Sequence, residues 1–406
     1  MIDGMKQALR GAALLALAST LGQPAQAASD GSAGGWAGAW SYAISPPVET
    51  PRLTKPAGTY HYRLRLTQSG DAVTLRLTNA DEAIPLEIGM VRIARAAGTT
   101  GFAEAPGSAR VLSFAGQAGI TLQAGQMANS DPAPLTLHPG DPLIVTLATT
   151  AQSTDVPGNA GFLSAFQPAG GAEAESRSRP YVTLASVHNA AARCTIVTLG
   201  DSITEGARNQ DTTRRGWPDR LADRLAARDS AHHCGVVNAG ISGNRVLSYG
   251  RGTAAVDRFE RDVASVPGVT HVLMLEGIND ITRNFQDSPT DAAKLIAGYH
   301  RIIGMAHDHG LKIIGGTLTP GWGYRLTSPA WEAFRAEVNQ WIRTSGEFDA
   351  VVDFEAATRD QSQPPKLKPE YDSGDHLHPG DTGYQAMADA VPLNLFDAGA
   401  PAGRGQ

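Results

Sequence analysis

The stretch CTIVTLGDSITEGARN, Cys194 to Asn209, runs a row of apolar and β-branched residues straight into a Gly-Asp-Ser-Ile-Thr turn. A run without polar alternation is the pattern of a strand buried on both faces, and this one ends on a lone serine. Downstream the pattern recurs with amphipathic helices between the strands: WPDRLADRLAAR, GVVNAG, VTHVLMLEG, TDAAKLIAGYHRIIGMAHDHG, LKIIGGTLTP, PAWEAFRAEVNQWIRTSG and DAVVDFE. Continuous apolar strands joined by helical crossovers make a parallel sheet covered on both faces. Ligands of such a sheet bind beyond the carboxyl ends of its strands, which is where Ser202 stands.

Before residue 190 the period is two. In TYHYRLRLT, Tyr60, Tyr62, Leu64 and Leu66 alternate with polar residues, and AVTLRLT does the same through Val73, Leu75 and Leu77. QSGD between them is turn chemistry, so the pair reads as a β-hairpin. LEIGMVRIA, ITLQA, LTLHPGDPLIVTLA and YVTLASV continue the series, with no long helix-period segment among them. The expectation is an all-β sandwich or jelly roll over residues 28–190, then an α/β domain over 191–406. A length of 406 residues agrees, since it exceeds what one hydrophobic core usually organises.

At the N-terminus, Lys6 and Arg10 precede the apolar run GAALLALASTLG, and AQA at Ala25 to Ala27 has small residues at alternate positions. Residues 1–27 therefore read as a cleaved signal peptide, too short for a membrane span, and the mature chain as secreted or periplasmic. No later segment approaches transmembrane length. A net charge of -6 carries no basic excess and argues against nucleic acid or anionic membrane as the main partner.

Four polar clusters follow the strands: Asp201-Ser202 after the first, NAGISGN after the second, EGIND after the third, and YDSGDHLHPGDTGY before the last helix. A serine hydroxyl is a poor nucleophile near neutral pH and needs a base such as histidine to take its proton. That histidine needs an acceptor on its other nitrogen, which Asp375 can offer to His378 from the same turn. His376 and Asp372 are the rivals, and the Asp-x-x-His spacing with Pro379 favours the first pair. A tetrahedral intermediate needs preorganised donors for its oxyanion; the backbone N–H of Ser202, that of Gly243 and the side-chain amide of Asn279 are the candidates.

GDSIT, NAGISGN, GIND and DHLHP resemble, in order and context, the four signature blocks of the SGNH (GDSL-type) hydrolases. The resemblance implies a flavodoxin-like α/β/α domain with a five-stranded parallel sheet in order 2-1-3-4-5. It maps Ser202 as nucleophile, Asp375 and His378 as the rest of the triad, and Ser202, Gly243 and Asn279 as the oxyanion hole, with no metal or organic cofactor. The N-terminal half is similar to the β-sandwich that precedes the catalytic domain in a secreted arylesterase/acylhydrolase-like subgroup. These likenesses imply a secreted esterase of short acyl groups, acetyl above all, with acylated polysaccharide as a substrate. Lysophospholipase, thioesterase and acyltransferase activities would use the same triad, and a polysaccharide-binding protein with a relic triad is the reading from another class.

The loops NQDTTRRGWPD and TPGWGYRLTSPAW are expected to shape the pocket, with Arg214, Trp217, Trp322 and Tyr324 on its wall. Trp36 and Trp40 read as interdomain or core packing, with glycan stacking as the other reading. Cys194 lies eight residues before Ser202 and Cys234 eight before Ser242. If the first two strands are neighbours, as that sheet order requires, both cysteines sit at one level. Adjacent strands lie about 4.8 Å apart, within the Cα range of roughly 4.4 to 6.8 Å for a disulfide. A structural disulfide between Cys194 and Cys234 is the expectation.

Overall fold

The computed structural model describes residues 35–44, 53–79, 84–155, 161–176, 178–192, 194–228, 233–284 and 290–397. The expected signal peptide, residues 1–27, lies outside them.

The first half of the described chain has a two-stranded ribbon, Leu53–Lys55 with Ser153–Asp155, and two larger antiparallel sheets. One holds Trp36–Ser41, Val182–His188, Gly70–Thr78, Met127–Asn129 and Ala133–Leu137; the other is built around Gly58–Arg65, Pro142–Thr149 and Leu86–Arg95. Their inner faces meet in one core, which Tyr60, Tyr62, Leu64, Val73, Leu75 and Leu77 all enter. The expected hairpin is corrected here. Gly58–Arg65 pairs with Pro142–Thr149 and Ser164–Pro168, while Gly70–Thr78 pairs with Val182–His188 in the opposite sheet. The alternation holds but serves a different partner: both apolar faces point inward across the sandwich, so QSGD carries the chain from one sheet to the other.

The second half is a five-stranded parallel sheet of β1 (Thr195–Gly200), β2 (Gly235–Gly240), β3 (Val269–Leu275), β4 (Lys312–Gly316) and β5 (Ala350–Val352). Its order is β2-β1-β3-β4-β5, the flavodoxin-like arrangement. β1 is buried at every position, as the opening run of apolar residues requires. Helices α1 (Ser202–Glu205), α2 (Gly216–Ala226), α3 (Ala255–Phe259), α4 (Ile278–Asn284), α5 (Ala292–Asp308), α6 (Pro329–Thr344), α7 (Phe354–Thr358) and α8 (Asp381–Asp389) complete the layers. α5 and α6 start where the chain supplies side-chain caps, Asp291 to Lys294 N and Ser328 to Trp331 N. Among the described residues no helix is long and apolar enough to cross a membrane.

That order leaves β2 at the sheet's edge, where unpaired backbone groups invite association. The sandwich covers them. Thr67 Oγ1 lies within hydrogen-bond distance of both the N–H and the carbonyl of Val236, at 3.0 and 2.7 Å, and Ser41 Oγ donates to the carbonyl of Asn238 at 2.9 Å.

Cys194 and Cys234 form a disulfide, their Cα atoms 4.9 Å apart just before neighbouring strands. It closes a loop across 40 positions, for which chain entropy gives about 4 kcal/mol of stabilisation. The double variant Cys194→Ala/Cys234→Ala should lose that amount in urea denaturation, and an unchanged midpoint would show that the crosslink contributes nothing.

Candidate active site

β1 delivers Ser202 to the carboxyl edge of the sheet through a tight strand-to-helix turn. A Cβ at Gly200 would overlap Thr204 Oγ1 and the carbonyl of Leu275, so the close approach demands glycine. Asp201 caps α1 by accepting from Ile203 N at 2.9 Å. Ser202 is the first residue of α1, so its N–H lies among the first-turn donors that have no acceptor within the helix.

The histidine arrives from a segment 176 residues away. Ser202 Oγ lies 2.8 Å from His378 Nε2, and His378 Nδ1 lies 2.8 Å from Asp375 Oδ2. Asp375 Oδ1 accepts from the N–H groups of Leu377 and His378 at 3.0 and 2.9 Å. Burial pushes this carboxyl up, but the His378 side chain and those two backbone N–H groups outweigh it and hold it well below the usual carboxylate range. Arg208 Nε adds an ion pair to Asp375 at 3.3 Å. His376 stands on its own partner, with Nδ1 2.6 Å from Asp372 Oδ2 and a left-handed φ of 65°.

The turn after β2 meets α1, where Ser242 N donates to Glu205 Oε2 at 2.7 Å. Gly243 takes φ +76°, and a Cβ there would run into the Arg251 side chain. Asn279 Nδ2 donates to the carbonyl of Asn244 at 3.0 Å, which spends one amide hydrogen and leaves the second. Asp280 fastens the same turn by accepting from Val246 N and Leu247 N at 2.8 and 3.1 Å. Burial pushes Asp280 up to about 6 against the pull of those two N–H groups. Arg258 binds the whole edge together. Its guanidinium, fully buried, donates to Asn244 Oδ1 at 3.0 Å, to the carbonyl of Ala239 at 2.7 Å and to that of Gly200 at 3.1 Å. Glu276 faces it at 3.7 Å, and burial followed by the nearby Asp201 raises this carboxyl well above its ordinary value.

One of the four expected pocket residues needs correction. Trp217 is 0% exposed and packs against Phe354, because it lies on the inward face of α2. Arg214 ties its loop to α2, with Nε 2.6 Å from Asp223 and Nη1 3.1 Å from Asp211, and its side chain is part-exposed. Trp322 and Tyr324 are half-buried. A Cβ placed on Gly323 would be 3.4 Å from His376 Cβ, and one on Gly321 would be 3.1 Å from Leu377 Cδ1, so their loop lies against the segment leading to His378. Sequence reasoning passed over Arg208, Glu205 and Arg258. Glu205 was in plain view inside GDSITEG, but Arg258 sits in a short helical segment whose pattern carries no signal.

The loss of one oxyanion donor costs about 10²- to 10³-fold in kcat. Asn279→Ala should show that loss with KM little changed, and a kcat within a factor of two of wild type would remove Asn279 from the donor set.

A parallel sheet of this order, with hydroxyl, imidazole and carboxylate converging at its carboxyl edge, puts the chain in the class of ester hydrolases. Residues 198–386 match the GDSL-like lipase/acylhydrolase family. No curated protein matches it. Solved structures similar to it include a GDSL-like lipase from Bacteroides thetaiotaomicron, 19% identical over 49% of this chain and 85% of that one, with a TM-score of 0.37. Another is Axe2, an acetylxylan esterase from Geobacillus stearothermophilus, 23% identical over 49% and 92% of the two chains, with a TM-score of 0.38.

Proposed function

We propose that the chain is an exported serine esterase that hydrolyses short acyl esters, acetyl by preference, carried on polysaccharide. The observation that carries this reading is the relay Ser202 Oγ to His378 Nε2 to Asp375 Oδ2, with 2.8 Å at each step. In it, Ser202 Oγ attacks the ester carbonyl carbon while His378 Nε2 takes the hydroxyl proton. The carbonyl π electrons move onto oxygen, where the N–H groups of Ser202 and Gly243 and the Asn279 amide stabilise the charge. Collapse of the tetrahedral intermediate breaks the bond to the alcohol, which leaves with the proton from His378. Water then attacks the acyl-enzyme with His378 again as base, and collapse frees the acid and restores Ser202.

The short-acyl preference rests on the resemblance of the four sequence blocks. One structural feature points the same way. An enzyme that docks on lipid presents a contiguous apolar face. Among the described residues the exposed large apolar side chains are Val111, Met127 and Tyr249, of which only Tyr249 is in the half that holds Ser202. Export is supported by the N-terminal charge and small-residue pattern and by the disulfide, a bond that persists in oxidising compartments.

The test is hydrolysis of 4-nitrophenyl acetate, butyrate and octanoate, of an acetylated xylo-oligosaccharide and of a lysophospholipid by the mature chain, with Ser202→Ala as control. Rates that fall with acyl length support the reading. Faster release from a lysophospholipid would replace it with the lipase alternative, and equal rates from both proteins would reject the serine mechanism.

A further inference from the structure

Tyr42 follows the sandwich strand that lies along β2. It is 4% exposed, and its hydroxyl donates to Glu205 Oε1 at 3.4 Å, across 163 positions of chain. Burial, and then the nearby Glu205, push this phenol well above its ordinary pKa, so it stays a donor. Glu205 is the last residue of α1, three after Ser202. Its other oxygen, Oε2, accepts from Ser242 N at 2.7 Å and from Ser242 Oγ. Ser242 directly precedes Gly243, so the two N–H groups belong to consecutive peptide units, and holding one restricts the other. A single buried carboxylate therefore spans from a sandwich side chain to the peptide next to the candidate oxyanion donor.

The far side of Tyr42 is also held. The Arg215 guanidinium lies 5.2 Å from the Tyr42 ring, 5.9 Å from Trp40 and 6.0 Å from Phe162, and its Nη1 donates to the carbonyl of Ser41 at 2.8 Å. Its Nε and Nη2 are buried without a hydrogen-bond partner. Buried nitrogens of that kind are costly unless aromatic faces take the place of water, and here Arg215 wedges the Tyr42 ring against the sandwich.

We infer that the sandwich is part of the catalytic apparatus: Tyr42 is a positioning residue that, through Glu205, sets the Ser242-Gly243 peptide for the oxyanion. The inference rests on the proposed reading of Gly243 as an oxyanion donor. In water, Glu205 would sample several rotamers. With Oε1 tied to Tyr42 and Oε2 to Ser242 it has one, and the turn after β2 inherits that order. A bound glycan plays no part in this role, and the half-buried Trp36 and the buried Trp40 are not required to meet one.

The measurement is kcat and KM on 4-nitrophenyl acetate for wild type, Ser202→Ala, Tyr42→Phe, Glu205→Ala, Glu205→Gln and the double variant Tyr42→Phe/Glu205→Ala. Misplacing a reacting group by a fraction of an ångström to an ångström costs up to about 10²-fold. Glu205→Ala should lose about that in kcat with KM within a factor of two. Tyr42→Phe should lose about 10-fold, and Glu205→Gln, which keeps an oxygen for Ser242 but not both acceptors, should fall back to the Tyr42→Phe level. The double variant should be no slower than Glu205→Ala alone, because the two act in series. Inactivation by a 4-nitrophenyl phosphonate, whose phosphoryl oxygen needs the same donors, should slow by the same factors.

Near-UV circular dichroism checks that each variant is folded. Wild-type kcat in both Tyr42→Phe and Glu205→Ala, while Ser202→Ala is inert, overturns the positioning role and leaves the hydrolase reading intact. Additive effects, or losses confined to KM, overturn it equally. If Glu205→Ala does not fold, Tyr42→Phe and Glu205→Gln decide the matter. A wild type inert towards every ester fails the functional reading itself and this inference with it.

Discussion

Ser202→Ala is expected to lower kcat on 4-nitrophenyl acetate by about 10⁶-fold, with KM little changed. In the proposed mechanism Ser202 Oγ is the atom that bonds the carbonyl carbon, so with alanine the first half-reaction lacks its nucleophile. The donors and the base remain, and water can attack the bound ester directly, which leaves a residual rate about 10³- to 10⁴-fold above that in solution. Two readouts check this. Wild type should show a burst of 4-nitrophenol equal to the enzyme present, and its intact mass should carry a trapped acyl group after acid quench. A burst or an acyl adduct in Ser202→Ala would move the nucleophile elsewhere, to Ser242 first.

Asp375→Asn should cost about 10⁴-fold in kcat while the fold survives. In the native protein Oδ1 accepts two backbone N–H groups and Oδ2 accepts from His378 Nδ1. The amide of asparagine has one acceptor and one donor end. Its oxygen is needed by the backbone of Leu377 and His378, so its NH₂ is turned to Nδ1. That selects the tautomer with hydrogen on Nε2, which cannot take the proton of Ser202. The folded-state pKa of Asp375 is depressed, so its stabilising contribution is present above the unfolded carboxyl value of about 3.9 and is lost as pH falls through the folded one. The variant should therefore unfold with a flatter pH dependence below about pH 4 than wild type. A kcat within 10-fold of wild type would show that the carboxylate does not set the tautomer.

The parallel sheet was legible because each of its strands is an unbroken apolar run, and the helices between them repeat at their own period. The meeting of Ser202, His378 and Asp375 was legible for a related reason. Asp375 and His378 are three residues apart in one turn, and Gly200-Asp201-Ser202 is a strand end whose glycine admits no side chain. The disulfide followed once β1 and β2 were neighbours, since Thr195 pairs with Gly235 and the preceding cysteines share that level. The hairpin failed because alternation states which residues face a core but not which strand lies alongside. Trp217 failed for a similar reason: a tryptophan after a polar loop can line a pocket or fill a core, and only the packing of α2 against Phe354 decides.

What the chain's own pattern determined, then, is the class of sheet, the edge that bears Ser202 and the residue types brought to it, since periodicity, turn chemistry and short spacings are local properties. Tertiary structure alone decided how the turn after β2 is held. Tyr42, Glu205, Ser242 and Arg258 come from both halves of the chain, and nothing local marks them as partners. Their hydrogen bonds exist because folding excludes water from them, and a contact made by exclusion of solvent leaves no spacing in the sequence to read.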